Sequence, residues 1–303
     1  MDQRHLAPRM RLRRFLPSLV GCAVLASAFL VAPSVAQATD KQPSHFIQTA
    51  TASNITTDFT LIDNGATNGN PNALLFVTPN WNPGGVCGCL DDPVPVGVFY
   101  EASLHEWAIF NEDQSSMTPG ESFNVLVVPG ASKTAFTVTA SSSTIFGDRL
   151  PLNTPVTNKK PASEVLVTQN WNPGGIGGAY NDENPGVEYV GLQWAIFNES
   201  TDPRSPGVSF NVLVGGAGGG TESTVKATKK TIVSDGVMVN SIVTNGDSNA
   251  FALDTPNWNP KGVGGIYDRS PTGVYDNGSL LVFNETGSAM TVRSAFNVLA
   301  WTS

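Results

Sequence analysis

The sequence predicts an all-β protein: three tandem small β-sandwich or barrel domains after a cleaved signal peptide. Short runs rich in Val, Ile, Phe and Thr are bounded by Gly, Pro, Asn and Asp, and no stretch sustains a 3.6-residue apolar period. Three blocks also recur in fixed order with a period of roughly 90 residues, which is the scale of a domain. Asn80, Trp81, Asn82 and Pro83 return at 170–173 and 257–260. Trp107, Ala108, Ile109, Phe110 and Asn111 return at 194–198 and, more loosely, at 280–284. Phe123, Asn124, Val125 and Leu126 return at 210–213 and 296–299.

Arg9, Arg11, Arg13 and Arg14 precede an apolar run over 15–32, and Ala36, Gln37 and Ala38 supply the small residues a signal peptidase cuts after. Residues 1–38 are therefore expected to be removed, leaving a secreted, periplasmic or cell-surface protein with no membrane span. A lipid anchor on Cys22 is the competing reading, but apolar residues continue where a polar tether should begin. Of the 17 Lys+Arg and 25 Asp+Glu, removal of the leader leaves 12 against 24. An acidic chain of this kind repels phosphate backbones, so no nucleic-acid partner is expected.

In repeat 1, over 46–128, strands are expected near 47–52, 59–63, 74–79, 97–100, 106–111 and 122–128. Repeat 2, over 134–214, follows with 136–140, 164–168, 192–198 and 209–214. Repeat 3, over 224–302, has 231–234, 250–254, 280–284 and 294–300. Six strands in about 85 residues suit a small sandwich or barrel. The segments 129–133 and 215–220 read as joints, the second glycine-rich and the more flexible. Three self-closed domains on a string is the expectation; one compact body with threefold pseudosymmetry is the rival.

The retained residues admit two readings. Trp81, Trp171 and Trp258 each follow a strand, flanked by Asn and followed by Pro and a glycine-rich turn. As architecture, each indole plugs a core end while Asn bonds neighbouring backbone. As a site, Trp81, Asn82, Trp171, Asn172, Tyr180, Trp258, Asn259 and Tyr267 would offer apolar faces and amides to a sugar. Asn111, Asn198 and Asn284, with Asn124, Asn211 and Asn297, suggest a buried amide ladder between the fifth and sixth strands. Cys87 and Cys89 read as a disulfide candidate, a soft-metal site being the sharper alternative. The acidic loops at 90–92, 180–184 and 267–269 leave calcium open, but the Asp-x-Asp-x-Asp-Gly spacing is missing, so no cofactor is expected.

Catalysis has little support. His45 and His105 have no counterparts in the other repeats, no Gly-x-Ser-x-Gly or His-Glu-x-x-His motif occurs, and Glu112, Glu199 and Glu285 read as solubilising charges at strand ends. The combined pattern of Asn-Trp-Asn-Pro-Gly-Gly, Gly-Val-x-Tyr, Trp-Ala-Ile-Phe-Asn and Ser-Phe-Asn-Val-Leu resembles a family of bacterial exported all-β tandem-repeat domains of unknown function. The resemblance implies export and tandem architecture, without a reaction. The expected function is non-catalytic, multivalent binding of an extracellular or cell-surface glycan or another surface ligand. A structural or adhesive surface protein is the alternative, and an enzyme the third reading.

Overall fold

The computed structural model describes residues 42–302 except 217, 218, 241–243 and 248; the expected signal peptide at 1–38 lies outside the described residues. The described chain is all-β, with no α-helix. In repeat 1, β1 (Ser44–Thr49), β2 (Ile55–Thr56), β3 (Phe59–Ile62), β4 (Leu74–Pro79), β5 (Val96–Glu101), β6 (Glu106–Asn111) and β7 (Ser122–Val128) form two sheets. The inner sheet has the antiparallel order β1-β7-β4, and the outer sheet the order β2-β3-β6-β5.

Repeat 2 places β8 (Ala135–Thr139), β13 (Ser209–Val214) and β10 (Val165–Asn170) in its inner sheet, and β9 (Leu150–Leu152), β12 (Gln193–Asn198) and β11 (Pro185–Val190) in its outer one. In repeat 3 the inner sheet is β14 (Thr221–Lys226), β20 (Ala295–Trp301) and β17 (Phe251–Pro256). The outer one is β15 (Ile232–Val233), β16 (Gly236–Met238), β19 (Leu280–Asn284) and β18 (Thr272–Asp276). Each repeat is thus a small sandwich, and none of the sheets closes into a barrel. Repeats 1 and 3 open at Ser44 and Thr221, slightly ahead of the bounds expected at 46 and 224.

Side-chain alternation explains the packing. In the inner sheet of repeat 1, Leu75, Val77, Phe123, Val125 and Val127 face Ile62, Val98, Trp107 and Ile109 of the outer sheet. The alternate residues Leu74, Phe76, Leu126 and Val128 point the other way and meet Leu166, Leu213, Phe251, Leu253 and Leu299 from repeats 2 and 3 in a fourth core. Strands β4 and β7 are therefore buried on both faces, which is why they read as unbroken apolar runs.

The string of separate domains is corrected by this fourth core: residues Asp40–Ser303 make one compact unit. Burying a large aliphatic or aromatic side chain is worth about 1.5–3 kcal/mol, and a detached repeat would expose several of them. The joints between repeats are also hydrogen-bonded. The end of β10 runs parallel to β5 at Gln169↔Gly97 and Asn170↔Val98; Asn257 pairs with Val187 and Asn80 with Val274 in the same way. Repeat 1 thereby joins repeat 2, repeat 2 joins repeat 3, and repeat 3 returns to repeat 1.

Polar groups repeat this cycle around the centre. Thr78, Thr168 and Thr255 accept through Oγ1 from the backbone N–H of Asp254, Val77 and Val167 at 3.0, 3.0 and 3.1 Å. Asn124, Asn211 and Asn297 donate through Nδ2 to the carbonyls of Ala252, Leu75 and Val165 at 2.9, 3.0 and 2.9 Å. The Oδ1 atoms of the same three residues accept from Asn80, Asn170 and Asn257. The expected ladder between the fifth and sixth strands does not form, because those strands lie in opposite sheets; Asn111, Asn198 and Asn284 instead bond the turns at Ser115, Asp202 and Ser288.

Calorimetry should accordingly record one cooperative unfolding transition for the whole β body. Asn211→Ala, which strips a buried carbonyl of its partner at a cost of about 1–3 kcal/mol, should lower that single transition without splitting it. Three resolved transitions, or one repeat melting ahead of the others, would contradict the shared core.

Candidate functional site

The Asn-Trp-Asn-Pro block is the seam itself. Trp81, Trp171 and Trp258 donate their backbone N–H to the carbonyls of Val274, Val98 and Val187 in the neighbouring repeat, at 3.0, 2.9 and 3.0 Å. The next Asn clamps the same strand with its side chain. Asn172 accepts from Tyr100 N through Oδ1 at 2.7 Å and donates to Tyr100 O through Nδ2 at 2.8 Å. Asn82 holds Asp276, and Asn259 holds Tyr189, with the same pair of bonds. Both polar atoms of each amide are engaged and the three residues are buried, so they serve the joint and are not presented to solvent.

The indoles differ from the amides. Trp81, Trp171 and Trp258 are half-buried, and Trp171 and Trp258 lie against Gly177 and Gly264, where a Cβ would come within 3.0 and 3.2 Å of the ring. Beyond each block a single 3-10 turn holds Gly84, Gly174 and Lys261 at φ of 65°, 66° and 57°. Glycine takes this left-handed backbone freely, and Lys261 does so against its preference. The residue ending each turn, Val86, Ile176 or Val263, is 66–77% exposed and adds apolar surface beside the indole.

At the seam of repeats 1 and 2 the indole floors a groove of about 240 Å³ lined by Asp58, Phe59, Phe99, Glu101, Phe110, Trp171 and Tyr180. Trp171 and Tyr180 rings lie 5.8 Å apart, and Phe110 meets Tyr180 edge-on at 5.9 Å. At the seam of repeats 3 and 1, a groove of about 290 Å³ is lined by Trp81, Cys89, Asp91, Asp235, Tyr275 and Phe283. Cys87 and Cys89 are joined as a disulfide at its margin. The seam of repeats 2 and 3 brings together Trp258, Tyr267 and Phe197, with Arg149 bonded to Glu188 and Asp148.

The structure therefore brings Trp171 with Tyr180, and Trp258 with Tyr267, while Asn82, Asn172 and Asn259 stay behind the indoles. Sequence reading passed over Asp58, Asp148 and Asp235, although they recur at the same interval as the tryptophans. It also misplaced Glu112, Glu199 and Glu285. These are 1–2% exposed, and their Oε2 atoms accept from the backbone N–H of Asn181, Asp268 and Asp92 in the neighbouring repeat at 2.8–2.9 Å. Each packs on a glycine, Gly97, Gly186 or Gly273, where a Cβ would overlap Oε1.

Burial dominates the protonation of these carboxyls. It pushes Glu112 up to about 8 and holds Glu199 and Glu285 well above the usual carboxylate range, against the backbone N–H each accepts. Burial raises Asp92 to about 8 and Asp254, whose Oδ2 accepts from Thr272 at 2.6 Å, to about 7. An acid whose folded pKa exceeds its unfolded one favours the folded state at low pH. That advantage is lost as pH climbs from the unfolded value toward the folded one, by about 1.4 kcal/mol per pH unit for each such group. The melting temperature should thus fall steadily between pH 5 and pH 8. Glu112→Gln should flatten this slope, and a pH-independent melting temperature would refute the assignment.

Among the described residues no three His, Cys, Asp or Glu side chains converge as a metal site, and no helix is long and apolar enough to cross a membrane. No curated protein and no solved structure matches the chain. A family model described as a domain of unknown function (DUF7452) matches three times, over residues 26–127, 97–214 and 205–300, which spans nearly the whole chain. With its three sandwiches following that triple match, the chain belongs to the DUF7452 family as a tandem-repeat, all-β member.

Proposed function

We propose that this is an exported, non-catalytic binding protein that takes a surface ligand, a carbohydrate, in the aromatic grooves at its seams. The observation that carries the reading is the groove of repeats 1 and 2, where a half-buried indole, the 45%-exposed Tyr180 and the rings of Phe59, Phe99 and Phe110 surround open volume. Flat apolar faces of this size suit the C–H face of a pyranose ring, and the carboxylates of Asp58 and Glu101 suit its hydroxyls. A comparable groove at the seam of repeats 3 and 1, within the same compact unit, gives two sites on one body. A repetitive polymer engaging both gains avidity without flexible joints.

A structural role on the cell surface is the second reading, favoured by the engagement of Asn82, Asn172 and Asn259, and of Asn124, Asn211 and Asn297, across the seams. Saccharide titration separates the two. Calorimetry against surface polysaccharide oligomers should give two sites per chain. Trp171→Ala should weaken binding by about 1–3 kcal/mol at one of them while the melting transition survives. Binding that is absent, or indifferent to both Trp81 and Trp171, would favour the structural role.

A further inference from the structure

The three seams share one plan and differ at corresponding positions of their outer sheets. Phe59 and Gly236 stand opposite Phe110 and Phe283 in the outer sheets, and Arg149, preceding Leu150↔Ile196, takes the same position in repeat 2. Each follows an Asp: Asp58, Asp148 and Asp235. Phe99, Glu188 and Tyr275 likewise correspond on β5, β11 and β18. At the seam of repeats 2 and 3, Arg149 Nε donates to Glu188 Oε1 and its Nη1 lies 3.2 Å from Asp148 Oδ1, while its charge counters the effect of burial on the Tyr267 hydroxyl. The chain supplies its own cation to one of three homologous aromatic and acidic seams.

The other two seams keep the rings and the first of these acids, as Asp58 and Asp235, while Phe99 and Tyr275 stand in place of Glu188, and no Lys or Arg lines their grooves. Asp58 and Glu101 border the first, and Asp91 and Asp235 the second. There the negative charge lacks a counterpart: Asp235 raises Asp91 beyond the effect of burial, and Asp58 adds to the burial that raises Tyr180. A cation seated against aromatic rings and a carboxylate is attracted by both ring faces and charge.

Resting on the saccharide reading for the ring system, we propose that the two open grooves hold an amino sugar, its protonated amine meeting Asp58 or Asp235 as Arg149 meets Asp148 at the third seam. The indole takes the sugar face, and the amine donates to Asp58 and Glu101 in one groove and to Asp91 and Asp235 in the other. A neutral N-acetyl group would forfeit the charge and leave the two carboxylates of each groove without a cation.

The test compares a short β-1,4-glucosamine oligomer with its fully N-acetylated counterpart by calorimetry on the whole protein at pH 5.5. The free-amine oligomer should bind at least about tenfold more tightly. The double variant Asp58→Asn with Glu101→Gln should abolish that preference at one of two sites. Asp202→Asn, an exposed carboxylate lining neither groove, should leave the preference intact and so exclude general attraction of a polycation to an acidic protein. Equal affinity for the two oligomers would overturn the proposal while leaving saccharide binding in place. Failure of both to bind would overturn the two together. An oligolysine that binds as tightly, and as sensitively to Asp58 and Glu101, would overturn the assignment of an amino sugar.

Discussion

Everything in this molecule depends on side-chain amides that find their partners in the next repeat. A buried Asn without partners is costly, since neither its N–H groups nor its oxygen can reach water. Asn124 meets that demand with Asn80 in its own repeat and with Ala252 in repeat 3, 128 positions away along the chain. Because the same arrangement recurs at Asn211 and Asn297, each repeat is incomplete without a neighbour on one side and completes a neighbour on the other. Three such units satisfy one another by closing a ring.

The seams have a polar inner part and an aromatic outer part. Inside, the amides, the three Thr hydroxyls and the buried Glu carboxyls lock backbone to backbone across repeats, where low dielectric strengthens each bond and penalises each charge. Outside, the indole that follows the first Asn turns toward the surface, where Trp81 and Trp171 meet Tyr275 and Phe99 of the adjoining outer sheet and Trp258 meets Tyr267 of its own repeat. The same short block thus builds the joint and positions the groove. This is why the tryptophans persist while the groove walls vary from Phe99 to Glu188 to Tyr275.

Much of the fold was legible in the chain. The runs around Phe76 and Val125 marked strands, the recurring blocks marked repeats, and the turn residues marked their ends. What escaped was which copy each retained residue answers to. Identical repeats satisfy a pattern equally well within a copy or between copies, and periodicity cannot distinguish Asn124 bonding Asn80 of its own repeat from Asn124 bonding β17. A clue lay in the strands themselves: β4 and β7 lack the alternation that a sandwich with one wet face requires, so a second core was needed on their far side. Glu112, Glu199 and Glu285 misled for a related reason, since a carboxylate after a strand resembles a surface turn until the neighbouring repeat is placed over it. Strands such as β11, opening with Pro185 and Gly186, and β14, composed mostly of polar residues at an edge, carried too little apolar signal to register.

The imidazole of His45 on the first strand lies 5.2 Å from the indole of Trp301 on the last, and 4.6 Å from the ring of Phe251. The ring of repeats therefore has no privileged starting point. A circular permutant opened at the loop 129–133, with the segments bearing His45 and Trp301 tied together by a short peptide, would preserve the strand pairing between repeats and the two aromatic grooves. Connectivity in this architecture is a matter of genetic order, whereas shape is decided by which edges meet.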